Sequence, residues 1–198
     1  MPRELFFNID QTKRERIYQA ALLEFSKNAF NEASINKIVN QARISRGSFY
    51  QYFDDKRDLY FYLLDTILEE ESYAYINDLI DKDDDIFEFF RKVFVFNLKL
   101  VSDSRYSNFF EKLYVSLNYD ITCHLNEINT KYTEKLIKKK SKKFMSDTGR
   151  DEEYIRELIN ILQLINRNLI AKKVIEKVSY EQTIHNYDMR IMILKSEN

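Results

Sequence analysis

Chain breakers are almost absent from this sequence: Gly occurs only at positions 47 and 149, and Pro only at position 2. Leu, Ile, Lys and Glu, which suit helices, are plentiful instead. With so little turn punctuation and so many helix formers, the 198-residue chain is expected to be all-α. Each of the two glycines then becomes a position that asks for a reason.

Apolar periodicity places the helices. A first one starts at Thr12, where Thr12-x-x-Glu15 fits a capping box, and carries Ile17, Ala20, Ala21 and Phe25 before fading near Asn28 to Phe30. Ser34 is a good N-cap for a second, with Ile35, Ile38, Val39 and Ala42 inward. A third runs from Ser45 or Arg46 to Tyr52. Asp54 or Asp55 caps a fourth that continues through Leu59, Leu63, Leu64 and Ile67 towards Ile80. The acidic run Asp81 to Asp85 reads as a loop opening onto a helix N-terminus, where carboxylates meet the positive end of the dipole. Phe87, Phe90, Phe94 and Leu98 mark a fifth helix, interrupted at Ser102-Asp103-Ser104; Phe109, Phe110, Leu113 and Leu117 mark a sixth. Ile121, Leu125, Ile128, Tyr132 and Leu136 mark a seventh, ending in the basic tract Lys138 to Lys143. Two last helices, Asp151 to Lys177 and Tyr180 to Leu194, follow the loop around Gly149.

Ser34 to Leu59 carries the chemistry. Two short helical patterns flank a tight turn at Gln41 to Ile44, and the second opens on Ser45 and presents Phe49, Tyr50, Gln51, Tyr52 and Phe53. That is the layout of a helix-turn-helix whose second helix enters the DNA major groove. Ser45, Arg46 and Ser48 project from the helix N-terminus, and Gly47 lacks a Cβ that would hinder close approach. Arg46 suits guanine O6 and N7, and Gln51 suits adenine N6 and N7, in bidentate pairs. The hydroxyls of Tyr50 and Tyr52, the ammonium of Lys56 at the next helix start, and Lys13 and Arg14 suit phosphates. Phe49 and Phe53 are assigned instead to a small core with Ile17, Ile38 and Leu59. From Gln11 to Arg57 nine basic residues face five acidic ones, whereas the whole chain has a net charge of −1, so a modest basic excess coincides with the reading segment.

These residues resemble the TetR (tetracycline repressor) family of bacterial transcription regulators. The family pattern of Ser-x-Gly, Tyr-x-Tyr/His-Phe and Lys-x-x-Leu is met by Ser45, Gly47, Tyr50, Tyr52, Phe53, Lys56 and Leu59, and the likeness extends back through IYQAALLEFSKNAF. The resemblance implies an N-terminal three-helix DNA-binding domain over residues 1–57 and a larger helical effector-binding and dimerisation domain over 58–198. It implies a homodimer on double-stranded DNA with an inverted-repeat operator, acting as a repressor that a small-molecule effector releases. It adds Asn36 as a base-reading position and Ser34 beside it. Two positions depart from the family: Arg43 stands where a turn glycine is usual, and Ala29 replaces another glycine. A left-handed Arg43 would cost roughly 1–2 kcal/mol, which a phosphate contact could offset.

By the same resemblance an effector pocket lies in the middle helices, with Phe90, Phe94, Asn97, Phe109, Phe110, Tyr114, Cys123, His124 and Tyr132 as candidates suited to a flat or greasy ligand. The last two helices carry apolar faces too wide for one buried stripe. Ile155, Leu158, Ile159, Leu162, Ile165, Leu169, Ile184, Tyr187 and Ile191 are therefore expected at a two-fold helical interface.

No apolar run approaches the roughly 18 residues of a membrane span, and no signal-peptide core follows Met1, so a cytoplasmic protein without membrane contact is expected. A single cysteine, Cys123, excludes an internal disulfide. Cys123 and His124 point about 100° apart on a helix and suit one ion poorly. No metal, cofactor or enzymatic activity is expected, since no phosphate loop, metal-ligand spacing or acid/base pair is read. A helical interaction adaptor of the same fold, with a filled core and no ligand control, is the alternative.

Overall fold

The computed structural model describes residues 1–82 and 84–196, with side chains for all of these but 73 and 74. Among the described residues there are eleven α-helices and no strand: α1 (Glu4–Phe7), α2 (Gln11–Lys27), α3 (Ile35–Ala42), α4 (Arg46–Tyr52), α5 (Lys56–Leu68), α6 (Ala74–Asp81), α7 (Ile86–Ser102), α8 (Ser107–Val115), α9 (Tyr119–Thr148), α10 (Glu152–Ile175) and α11 (Tyr180–Ser196). A π-helical turn, Glu69–Tyr73, joins α5 to α6. No described helix is long and apolar enough to cross a membrane.

Short polar side chains set most of the N-termini by accepting an otherwise orphaned backbone N–H. Asp10 accepts from Lys13, Ser45 from Ser48, Asp55 from Asp58, Asp85 from Phe87 and Glu88, Asn118 from Ile121, and Asp151 from Tyr154. Asp10 rather than Thr12 caps α2, so the helix starts earlier than the Thr12-x-x-Glu15 spacing suggests. Asp83, part of the acidic run, lies outside the described residues. Ser34 begins α3 but its hydroxyl caps nothing. The buried carboxylate of Glu24 does that work, accepting from Ser34 N at 2.9 Å and from Asn28 Nδ2 at 3.0 Å. Gly149 closes α9 at φ +67°, the left-handed conformation glycine adopts without a Cβ penalty.

The chain divides into two compact units, Met1–Glu71 with Ser104–Ser116, and Ser72–Asp103 with Leu117–Asn198. In the first, Ile17, Ile38, Phe49, Phe53 and Leu59 are all fully buried, the small core that the sequence implies. This unit keeps the whole of α5 and adds α8, which packs on α2 and brings Phe109 against Tyr60. The boundary between residues 57 and 58 falls in the first turn of α5, whereas the units part within the π-helical turn. There, burial and the carboxylates of Glu15 and Glu71 hold Glu70 above the ordinary glutamate range.

In the second unit α10 contacts α7, α9 and α11, so its main apolar stripe is already covered. This corrects the expected interface. Ile155, Leu158, Ile159, Leu162 and Leu169 of α10, and Tyr187 and Ile191 of α11, are buried inside the unit, and Tyr187 stacks on Phe94 at 4.2 Å. Among the nine positions only Ile165 and Ile184 remain half-buried. The apolar side chains left outside are others: Leu164 at 58% exposure, Ile175, Met189, Met192 at 57% and Ile193.

Candidate nucleic-acid interface

α3 and α4 are joined by Arg43 at φ 55°, a left-handed residue whose N–H bonds Asn40 O at 3.2 Å while Ile44 N bonds Val39 O at 3.0 Å. These bonds make the tight turn. They leave Phe49 facing the core and Ser45, Arg46, Gly47, Tyr50 and Gln51 exposed, with Ser48 half-buried beside them. A Cβ added to Gly47 would meet only Ser45 Oγ, at 3.7 Å, so nothing within the chain requires a glycine there.

The exposed side chains are organised among themselves. Arg46 donates to Asn36 Oδ1 at 2.8 Å and to Tyr50 Oη at 3.3 Å, and its guanidinium lies 5.8 Å from the Tyr50 ring centre. Asn36 on α3 and Tyr50 one turn along α4 thus hold the guanidinium between them on the outer face. Ser45 and Ser48 share a hydrogen bond at 2.9 Å. Gln51 and Arg43 are exposed, and Ser34 is half-buried at the start of α3.

Three expected phosphate ligands are spoken for by the chain itself. Lys56 donates to Ala33 O at 2.8 Å and Asn31 O at 3.2 Å over the Phe30 ring, and burial lowers its pKa. Its ammonium therefore fastens the α2–α3 loop instead of standing open to solvent. Tyr52 is only 4% exposed, its ring against Phe6 and Phe53, and its hydroxyl takes a bond from Lys13 Nζ at 2.8 Å. The reading of Tyr52 as an open phosphate ligand is corrected to a core residue that positions Lys13. Arg14 donates to Phe7 O at 3.2 Å.

Two residues that shape this face escaped the sequence reading. Phe6 of α1 is fully buried between Phe53 and Tyr62, and Arg3 N donates to Tyr52 O at 2.8 Å, so the N-terminal arm clamps the end of α4. The Phe6-Phe7 pair just ahead of the Asp10 cap was the available signal. Glu24, which fixes the start of α3, was legible as a carboxylate on the same helical stripe as Ala20, Ala21 and Phe25.

Comparison with known proteins bears on this same segment. Residues 17–63, spanning α2 to the middle of α5, match the family model described as bacterial regulatory proteins, tetR family. Over this segment the chain is of the TetR type. It is 36% identical over 59 residues to the HTH-type transcriptional regulator HbdR of an Aromatoleum species, spanning about a quarter (26%) of that protein. It is 28% identical over 140 residues to IcaR, the negative transcriptional regulator of the biofilm operon icaADBC of Staphylococcus epidermidis, covering 63% of this chain and 68% of that one. Among solved structures, FadR of Bacillus subtilis in complex with stearoyl-CoA superposes with a TM-score of 0.65 at 18% identity, over 91% of this chain and 96% of that one. FadR of Bacillus halodurans gives 0.61 at 17%, over 90% and 93%. These structural likenesses speak to the fold.

Beyond the TetR-type segment, the aromatic residues expected around an effector are built differently. Phe90, Phe94, Phe109 and Phe110 are 5% exposed or less and packed against neighbouring rings. They are core. Phe109, Phe110 and Tyr114 belong to the first unit, and Phe90, Phe94, Asn97, Cys123, His124 and Tyr132 to the second. Asn97, Tyr114, Cys123, His124 and Tyr132 are half-buried. Cys123 is a free thiol, and no described cluster of three or more His, Cys, Asp or Glu is arranged for a metal.

Proposed function

We propose that this chain is a dimeric, sequence-specific DNA-binding regulator, a repressor released from an inverted-repeat operator by a small molecule. The observation that carries the reading is the outward face of α4. Arg46 is held there by Asn36 and Tyr50, beside an exposed Gly47 that the fold itself does not need. A guanidinium fixed in this way is ready for the O6 and N7 of a guanine, worth about 1–3 kcal/mol of discrimination. Lys13, Ser34, Arg43, Ser45, Ser48 and Gln51 serve with it as backbone or base contacts, with residues 1–57 as the reading domain and 58–198 as the effector and dimer domain.

Dimerisation finds support in the exposed Leu164, Met189, Met192 and Ile193 of α10 and α11, apolar groups that a second copy would cover. Repression agrees with the role of the Staphylococcus epidermidis relative as a negative regulator. Release by a ligand agrees with the stearoyl-CoA complex of the Bacillus subtilis protein.

Selection of bound sequences from random DNA tests the reading. An enriched inverted repeat with half-sites about one helical turn apart is the expected result. Recovery of a motif without a dyad, or of no motif, rejects it. DNA affinity indifferent to every small molecule tried would select the adaptor.

A further inference from the structure

α9 and α10 form an antiparallel pair joined by the Gly149 turn. Cross-links step along it in opposite senses: Glu134 with Arg156, Thr133 with Gln163, and Asn126 with Arg167. Helices that pack together normally face each other with apolar side chains. Along one side of this pair both helices present polar ones instead, Asn126, Asn129 and Thr133 on α9, and Asn160, Gln163 and Arg167 on α10. Between them lies a cleft of about 310 Å³, wholly within the second unit.

Two guanidiniums line the cleft and they are not equivalent. Arg156 is neutralised by Glu134 and Glu152, both at 2.9 Å. Among the described residues Arg167 has no carboxylate partner: it donates to Asn126 Oδ1 at 2.9 Å, and its Nε is buried without an acceptor. A partly desolvated cation held only by an amide oxygen is unfavourable until an anion joins it. Around it stand unspent amide groups. The Asn129 side chain bonds no described residue, and Gln163 spends its NH2 on Thr133 Oγ1 at 2.8 Å, which leaves its carbonyl. Amides serve hydroxyls as both donor and acceptor, and a guanidinium matches carboxylate or phosphate. An acyl chain would strip water from these polar groups and give them no hydrogen bond in return.

We propose that the α9–α10 cleft binds a small hydroxyl-rich anion of the sugar-acid or sugar-phosphate class. Arg167 takes the anionic group, and Asn129, Asn160 and Gln163 take hydroxyls. The volume lies at the low end of ligand pockets, which suits a single sugar-sized body. The site deepens the effector part of the function proposed above, and rests on that reading only for what binding does to DNA affinity.

Calorimetric titration of the full chain with gluconate, glucose 6-phosphate, glucose and inorganic phosphate tests it. At least one of the two hydroxylated anions is expected to bind with Kd of about a millimolar or tighter, and glucose and inorganic phosphate at least about tenfold more weakly. The better of the two anions tells which group Arg167 accepts. Arg167→Met is expected to weaken that binding by about tenfold or more, and so is Asn129→Leu, which fills the cleft and leaves the charge. Helical melting of both variants should match the parent, and if one fails to fold the other decides. Binding of neither anion, equal binding of glucose, equal binding of inorganic phosphate, or indifference to the substitutions would overturn the site. Because the titration contains no DNA, a failed operator selection would leave this result standing, and a failed titration would leave the operator standing.

Discussion

The reading head and the terminal helices are both wholly helical, yet different forces fix their arrangement. From Ser34 to Leu59 the structure has its helices at the expected residues, with Ser45 and Asp55 as caps and Phe49, Phe53 and Leu59 inside. In α10 and α11 the helices are also as expected, but the stripe assigned to a partner is the stripe the chain buries in itself. Short elements are determined by local chemistry: a cap, a turn and one apolar face leave a single arrangement. A long helix that is apolar on most of its circumference offers two burial faces, and its periodicity does not say which one meets its own chain.

Phe6→Ala is the severest test of the idea that local chemistry suffices for the reading head. Phe6 is fully enclosed, so truncation should cost about 3–5 kcal/mol, lost transfer and cavity together. Urea unfolding followed by circular dichroism reads this directly. A loss under about 1 kcal/mol would mean that α2 to α5 hold their arrangement without the arm. The arm itself was invisible to periodicity because α1 is a four-residue turn, too short to repeat. Tyr52 and Lys56 were misjudged for a related reason. Spacing places them near the reading helix, but only the fold shows that Phe6 and the Ala33 carbonyl claim them. The effector region was least legible, since aromatic richness is equally the mark of a core, and α7 and α8 use their rings for that.

The two faces of α10 can be set against each other in one pair of variants. Leu162→Ala, at a fully buried position, should destabilise by about 2–5 kcal/mol. Leu164→Glu, at 58% exposure, should leave folding within about 0.5 kcal/mol while shifting the mass measured by light scattering towards a monomer. Equal destabilisation by both would erase the distinction between the faces. A wild-type chain that is monomeric at micromolar concentration would remove the partner.

Arg46→Ala sharpens the other side. Because Arg46 is exposed and, among the described residues, bonded only to the polar groups of Asn36 and Tyr50, stability should hardly change. Discrimination between the selected operator and a variant altered at the contacted guanine should fall by about 1–3 kcal/mol, or about 5- to 150-fold in relative affinity. Binding to unrelated DNA should change less, the phosphate contacts being intact. Measured at one salt concentration, an undiminished preference would assign base reading to Gln51 or elsewhere.

Arg43 is the place where the turn departs from local convenience, and its effect is the smallest of these. At φ 55° its Cβ is crowded against the backbone, a cost that glycine avoids. Arg43→Gly should therefore stabilise the fold, by about 1 kcal/mol or less once the greater freedom of glycine in the unfolded chain is subtracted. If the arginine is kept for a phosphate, the same variant should bind all DNA sequences more weakly and lose about one unit of salt dependence, with base preference unchanged. A more stable protein with weaker and equally selective binding would show that the strain is retained for contact with DNA. A more stable protein whose DNA affinity is untouched would leave Arg43 as a tolerated substitution in a turn made by the Ile44 and Val39 backbone bond.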